Sequence, residues 1–296
     1  MLDQAAALRK LAKEAKESEE VEEKEVEQNS KGPKIITVTS GKGGVGKSNF
    51  VVNLSIALQM RGKKVLIFDA DVGMGNDDVL MGFLPKYDVK DVIFNNMEIE
   101  DVIIEGPYGV KLLPGGSGFT AIEDISKEKR DKFLRKLTSL ENLDYIIMDT
   151  GAGVSRNVLG FIACSEELIV ITTPEPTSLT DAYCLLKVIN HFKIKTSAKV
   201  VVNKIINFEE GMGTYNKFNN TVSNFLNIKL DYLGALSEDK KLIEAVRKQK
   251  PFVISFPNAE VSKEINDIAT KILGEKNTKE GTGVQGLFKK LFSIFS

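Results

Sequence analysis

Residues 41–48 read Gly41-Lys42-Gly43-Gly44-Val45-Gly46-Lys47-Ser48, the full pattern G-x-x-x-x-G-K-S. Glycines at this spacing let backbone N–H groups converge on phosphate oxygens, and a helix opening at the end of the run adds partial positive charge. Lys47 is expected on the β- and γ-phosphates of a nucleotide, and the Ser48 hydroxyl on Mg2+. Asn49 follows in the same turn, so the expected nucleotide-binding run is Gly41 to Asn49. The run Ile35-Ile36-Thr37-Val38-Thr39-Ser40 directly before it supplies the strand that this arrangement needs.

Carboxylates close two further apolar runs. Val65-Leu66-Ile67-Phe68 leads into Asp69-Ala70-Asp71, and Tyr145-Ile146-Ile147-Met148 leads into Asp149-Thr150-Gly151-Ala152-Gly153. An Asp at the end of a buried strand holds Mg2+ directly or through water, the role expected of Asp149. Gly151 and Gly153 would leave the following loop free to move when a γ-phosphate is lost. Base choice is read from Val201-Val202-Asn203-Lys204-Ile205-Ile206. It begins like a guanine-reading N-K-x-D but carries Ile206 where the carboxylate belongs. The Asn203 amide still suits adenine, which favours ATP.

The elements that must position these groups follow from hydrophobic periodicity. Strands are expected at 34–39, 64–69, 109–113, 144–149, 167–172, 198–203 and 230–235. Helices are expected at 47–61, 127–140, 154–163, 176–191, 214–226, 240–247 and 261–273. Continuous apolar strands imply burial on both faces. The fold class is therefore α/β, a doubly wound, mainly parallel sheet of the P-loop type spanning 33–273. In such sheets ligands sit beyond the carboxyl ends of the strands.

The two ends differ from this core. Residues 16–32 form an acidic linker, with Glu17, Glu19, Glu20, Glu22, Glu23, Glu25 and Glu27 crowded together. Before it, residues 1–15 place Leu2, Ala5, Ala6, Ala7, Leu8 and Leu11 at helical spacing behind Asp3. Residues 274–282 are a polar tether. In 283–296, Val284, Leu287, Phe288, Leu291, Phe292, Ile294 and Phe295 share one broad helical face opposite Lys289, Lys290 and Ser293. That face is expected to lie on a membrane surface, with Leu287, Phe288, Leu291, Phe292 and Phe295 as its anchors. An alternative is docking on the chain's own domain.

Composition limits the rest. With 40 Lys+Arg against 41 Asp+Glu and a pI near 6.1, there is no global attraction to nucleic acid or anionic lipid. No apolar run approaches the ~18 residues of a membrane span, and the polar N-terminus is not that of a signal peptide. Cys164 and Cys184 form neither a disulfide framework nor a CxxC cluster site.

The loop GKGGVGKS resembles the deviant Walker A of the superfamily that includes MinD, ParA and the nitrogenase iron protein. The resemblance implies a homodimer formed with ATP, in which Lys42 crosses to the partner's phosphates and assists hydrolysis. It implies that Asp71 orients the attacking water in a first switch that includes Gly73, and that Asp69 shapes the Mg2+ surroundings through water. It also extends the base contacts to Ser237 and Asp239. At the N-terminus, Asp3-Gln4-Ala5-Ala6-Ala7-Leu8-Arg9 resembles the D-Q-A-x-x-L-R activator motif of the FlhG family, MinD-like ATPases controlling flagellar number and placement. In that family the segment stimulates the signal-recognition-type GTPase FlhF. Here Gln4 would complete the partner's catalytic site, Leu8 would pack and Arg9 would make polar contacts. The implied protein is a cytoplasmic Mg-dependent ATPase, reversibly held at the inner face of the cell membrane. Its partners would include FlhF and flagellar C-ring components, with no specific nucleic acid. A DNA-partition ATPase, a cell-division-site positioning ATPase and a non-hydrolysing interaction module remain the alternatives.

Overall fold

The computed structural model describes residues 32–71, 75–116, 126–140, 142–274 and 283–295. The segment expected as activator helix, the acidic linker up to residue 31, the expected tether from residue 275 on, and Gly73 lie outside the described residues. The strands are β1 (Lys34–Ser40), β2 (Val65–Ala70), β3 (Ile104–Glu105), β4 (Lys111–Pro114), β5 (Tyr145–Ala152), β6 (Glu167–Thr172), β7 (Ser197–Ile205) and β8 (Lys229–Ser237). They form one sheet in the order β3-β4-β2-β5-β1-β6-β7-β8. Every pairing is parallel except that of β3 with β4.

The apolar runs are explained by what lies on each face. Alternate residues of β5, Tyr145 and Ile147, join one core cluster, whereas Ile146 and Met148 join another on the opposite face. Both sides of the strand are thus removed from water, and no polar alternation survives. Helix α1 (Lys47–Gln59) follows the phosphate loop, and everything from Phe50 to Leu58 along it is buried. Around it pack α2 (Asp77–Met81) and, from the C-terminal part, α9 (Lys240–Arg247), α10 (Phe252–Ser255) and α11 (Glu260–Gly274). The other face carries α3 (Val89–Phe94), α4 (Ile99–Val102), α5 (Lys127–Lys136), α6 (Arg156–Cys164), α7 (Pro176–His191), α8 (Phe208–Phe225) and α12 (Gly283–Phe295).

Departures from the expected elements have local causes. Helix α8 starts at Phe208 rather than Thr214, because the Asn207 side chain caps it by accepting from the Glu210 N–H at 2.9 Å. Gly211 and Gly213 had disguised that first part as a loop. The expected helix over 127–140 stays α-helical only to Lys136 and tightens into a 3-10 turn over Leu137–Leu140. Helices α2, α3, α4 and α10 and strand β3 were not anticipated; each is too short for periodicity to register.

The C-terminal helix lies with its apolar face on the chain's own domain, the alternative to a face turned to lipid. Leu287 and Leu291 are fully buried, Phe288 and Phe292 nearly so, and all four belong to the core cluster on the α5–α6 side of the sheet. Phe288 meets Phe68 at 5.4 Å and Phe133 at 4.9 Å between ring centroids; Phe292 meets Phe133 at 5.7 Å. Gln285 Nε2 donates to the Leu134 carbonyl at 2.9 Å and Arg156 Nη2 to that of Ile294 at 3.2 Å. Burying each large apolar side chain is worth about 1.5–3 kcal/mol, whether the cover is lipid or protein. In this structure the cover is the chain's own domain. Phe295 closes the helix, and its side chain lies outside the described residues.

Candidate functional site

The carboxyl ends of β1, β2 and β5 meet where order reverses in the sheet, and the phosphate loop runs from β1 into α1 there. A cleft of about 900 Å3 opens at this edge. Its lining includes the run Gly43 to Asn49, together with Asp71 of the first acidic site and Gly151 of the second. Gly46 holds φ +94°, and a Cβ there would stand 2.2 Å from Asn203 Nδ2. No residue but glycine fits that backbone and that neighbour. The N-terminus of α1 carries no side-chain cap, which leaves its first N–H groups for a ligand.

Beneath the loop, Lys47 Nζ lies 3.4 Å from Asp149 Oδ1. Asp149 pairs in register with Asp69 across β5 and β2, so the two carboxylates are lateral neighbours. Burial raises the Asp149 pKa, while Lys47 and the Ser48 hydroxyl beside it pull the other way. Asp69 is pushed up to about 7 by burial and by the charge of Asp149. Its Oδ1 accepts the backbone N–H of Asp71 at 3.2 Å. A Cβ on Gly151 would come within 3.2 Å of the Asp71 carboxylate, so the first and second switch loops touch at the mouth of the cleft. Sequence reasoning missed Asp77, which is completely buried on α2 and faces Asp149. The only local signal was a further Asp beyond Asp69 and Asp71.

The remaining expected site residues serve other contacts. Lys42 lies outside its own cleft, with Nζ 3.0 Å from Glu175 Oε2 and 3.0 Å from Thr177 Oγ1. That contact holds the Glu175 pKa below the usual carboxylate value. Asn203 supports the loop from behind, donating from Nδ2 to the Val45 carbonyl at 2.7 Å. Lys204, unanticipated, donates from Nζ to the Gly44 carbonyl at 2.9 Å and carries φ +59°, uncommon for a side-chain-bearing residue. Ser237 is bound to Glu264 of α11, its hydroxyl donating at 2.6 Å. Asp239 caps α9 through the Lys241 N–H at 2.8 Å. Neither side chain is brought to the phosphate cleft. Gly41 and Gly153 border the loop ends, Gly153 donating its N–H to the Ser40 carbonyl at 2.9 Å.

Among the described residues no group of three or more His, Cys, Asp or Glu side chains can hold a metal ion by itself. Asp149 is nevertheless buried beside the Ser48 hydroxyl, and its Oδ1 has Lys47 Nζ at 3.4 Å as a long ion-pair partner. A hard cation shared between phosphate oxygens, the Ser48 hydroxyl and this carboxylate suits that donor set.

Comparison with known proteins agrees with this geometry. Residues 33–202 match the family model described as an AAA domain. The chain is 35% identical over 240 residues to the antiactivator FleN of Pseudomonas aeruginosa, covering 81% of this chain and 86% of that one. It is 35% identical over 271 residues to the flagellum site-determining protein YlxH of Helicobacter pylori, covering 89% and 91%. Among solved structures, the septum site-determining protein MinD complexed with Mg-ADP from Pyrococcus horikoshii superposes with a TM-score of 0.64 at 25% identity, covering 81% of this chain and 96% of that one. The chain belongs to the FlhG family of MinD-like P-loop ATPases.

Proposed function

We propose that this chain is a nucleotide-switched regulator of flagellar number and placement that attaches to the membrane in its ATP state. The observation that carries the switch is the meeting of Asp71 with Gly151 at the mouth of the cleft that Lys47 lines. Ser48 and Asp149 would hold Mg2+, which supplies charge neutralisation between the phosphates. Asp71 would orient the attacking water. Lys47 neutralises phosphate charge in its own cleft, and Lys42 would do so in that of a second copy. Its exchangeable contact with Glu175 suits that role, since an exposed pair is weak. The flagellar assignment draws on the likeness to FleN and YlxH. Stimulation of FlhF by residues 1–15, with Asp3, Gln4, Leu8 and Arg9 in contact, rests on the sequence motif.

Membrane attachment is the other half of the proposal. No helix among the described residues is long and apolar enough to cross a membrane, so attachment would be interfacial. Lipid would compete with the α5–α6 groove for the same apolar face of α12. Two tails in an ATP dimer would bind a vesicle far better than one. The test is the oligomeric state and vesicle binding of Asp71→Ala with Mg-ATP, compared with wild type. The variant should accumulate as a vesicle-bound dimer while hydrolysis falls by about a hundredfold or more. A monomeric Asp71→Ala chain at saturating Mg-ATP would refute the switch.

A further inference from the structure

Helix α9 and the turn after it lie on the surface: of residues 240–250 only Ala245 is buried. The stretch carries Lys240, Lys241, Arg247, Lys248 and Lys250 against Glu244 alone. Lys248 Nζ pairs with Glu244 at 2.6 Å, and the other four cations have no ion-pair partner among the described residues. The other basic helix, α5, spends its cations differently. There Lys129 lies over the Phe94 ring, Arg130 faces Phe292, and Lys136 bonds to Asn96, Met97 and Glu98. Among the cations of α9, Ile243 is 48% exposed and Val246 36%. Like charges crowded within a screening length repel one another, and apolar side chains beside them stay in water. An acidic segment with a few apolar residues would relieve both.

The chain contains such a segment. Residues 17–27 hold seven Glu against one Lys, and Val21 and Val26 are their only apolar residues. Chain length permits the contact. Glu22 stands ten residues before Gly32 and can reach about 33–36 Å from it, whereas β1 covers about 23 Å from the amino edge of the sheet to the cleft. We propose that residues 17–27 dock on α9 of the same chain, their glutamates on Lys240, Lys241, Arg247 and Lys250 and their valines on Ile243 and Val246. Val246 also lines the cleft, so docking holds residues 1–15 on the cleft side of the domain. A single exposed ion pair is weak, but a tethered segment forms several in parallel at a local concentration in the millimolar range. The contact does not depend on which nucleotide fills the cleft.

Carbodiimide cross-linking of the full-length chain joins carboxylates to lysines in contact, and mass spectrometry locates the links. An equal mixture of 15N-labelled and unlabelled protein separates links within a chain from links between chains. Glu17 to Glu27 are expected to link to Lys240, Lys241 or Lys250 of their own chain. A Glu-specific protease supplies a second readout, since cleavage within 17–27 tracks the undocked population. Cleavage should speed about threefold or more in Lys240→Glu/Lys241→Glu/Lys250→Glu. It should keep the wild-type rate in Lys127→Glu/Lys132→Glu, which reverses two exposed lysines of α5. Links spread evenly over the surface, links to α5, links only between chains, or equal cleavage in all three proteins would overturn the proposal. Should the α9 variant fail to fold, Glu19→Gln/Glu20→Gln/Glu22→Gln/Glu23→Gln leaves the described residues untouched. Its remaining links from Glu17, Glu25 and Glu27 to α9 should drop about threefold or more, and an unchanged yield overturns the docking equally.

Discussion

The docked tail makes a prediction that separates protein cover from lipid cover. Phe133 is a wall of the groove on α5, nearly fully buried, and its ring contacts both Phe288 and Phe292. Replacing it by alanine damages the groove while leaving every residue of the tail intact, so the affinity of a free tail for lipid is unchanged. A buried Phe→Ala change removes about 3–5 kcal/mol in total. The two aromatic pairs alone account for about 1–3 kcal/mol beyond area burial, all of it borne by docking. The undocked fraction should therefore rise from about fivefold to about a hundredfold. Flotation with anionic vesicles in the absence of nucleotide measures the bound fraction, and hydrogen exchange of amides 283–295 measures docking directly. Phe133→Ala should bind vesicles more and protect those amides less, with unchanged affinity for ADP. Retained protection and unchanged vesicle binding would refute the reasoning. A rise that persists after residues 283–296 are deleted would also do so, because the exposed core and not the tail would then be responsible.

Other consequences follow from single contacts. Cys164 is buried beneath the tail and its thiol is pushed up to about 12 by burial, whereas Cys184 is exposed, so a thiol reagent should label Cys184 first; faster labelling of Cys164 in Phe133→Ala would report tail release by mass spectrometry. Gly46→Ala must move the Asn203 amide or distort a backbone at φ +94°, and should lower nucleotide affinity about tenfold or more in a fluorescence titration. Glu175→Gln should leave the melting temperature nearly unchanged and raise ATP-dependent dimerisation about two- to fivefold by freeing Lys42; a fall would place Glu175 at work within the dimer. Because the folded-state pKa of Asp69 is raised to about 7 from 3.8, the folded chain binds the proton more tightly than the unfolded one. Its contribution is thus fullest at low pH and is lost as pH rises through about 7. Without nucleotide or metal, Asp69→Asn should make the decline in stability between pH 4 and 7 shallower, read from urea titrations; an equally steep decline in the variant would refute this assignment.

Much of the site was legible because its determinants are local. The loop from Gly41 to Ser48 needs only consecutive backbone N–H groups, a strand before and a helix after, and all three are written in one short stretch. Asp71 and Asp149 were legible for a related reason, since an apolar strand that ends in Asp delivers a carboxylate to one edge of a parallel sheet. The strand ends required small corrections only, as with β5, which runs on to Ala152. Short helices such as α2 escaped because fewer than two turns show no period.

The order of residues alone determined which run forms the glycine-rich loop at the cleft, that the sheet is mainly parallel, and that the last helix has one apolar face. Tertiary structure alone decided what covers that face, because hydrocarbon from lipid and hydrocarbon from Phe133 or Phe68 satisfy the same pattern. It also decided that Ser237 serves Glu264 and that Lys42 rests against Glu175, contacts between chain positions far apart that no local spacing encodes. Burial of Asp77 beside Asp149 belongs to the same class: a charge is recognised as buried only when the neighbours that exclude water are known.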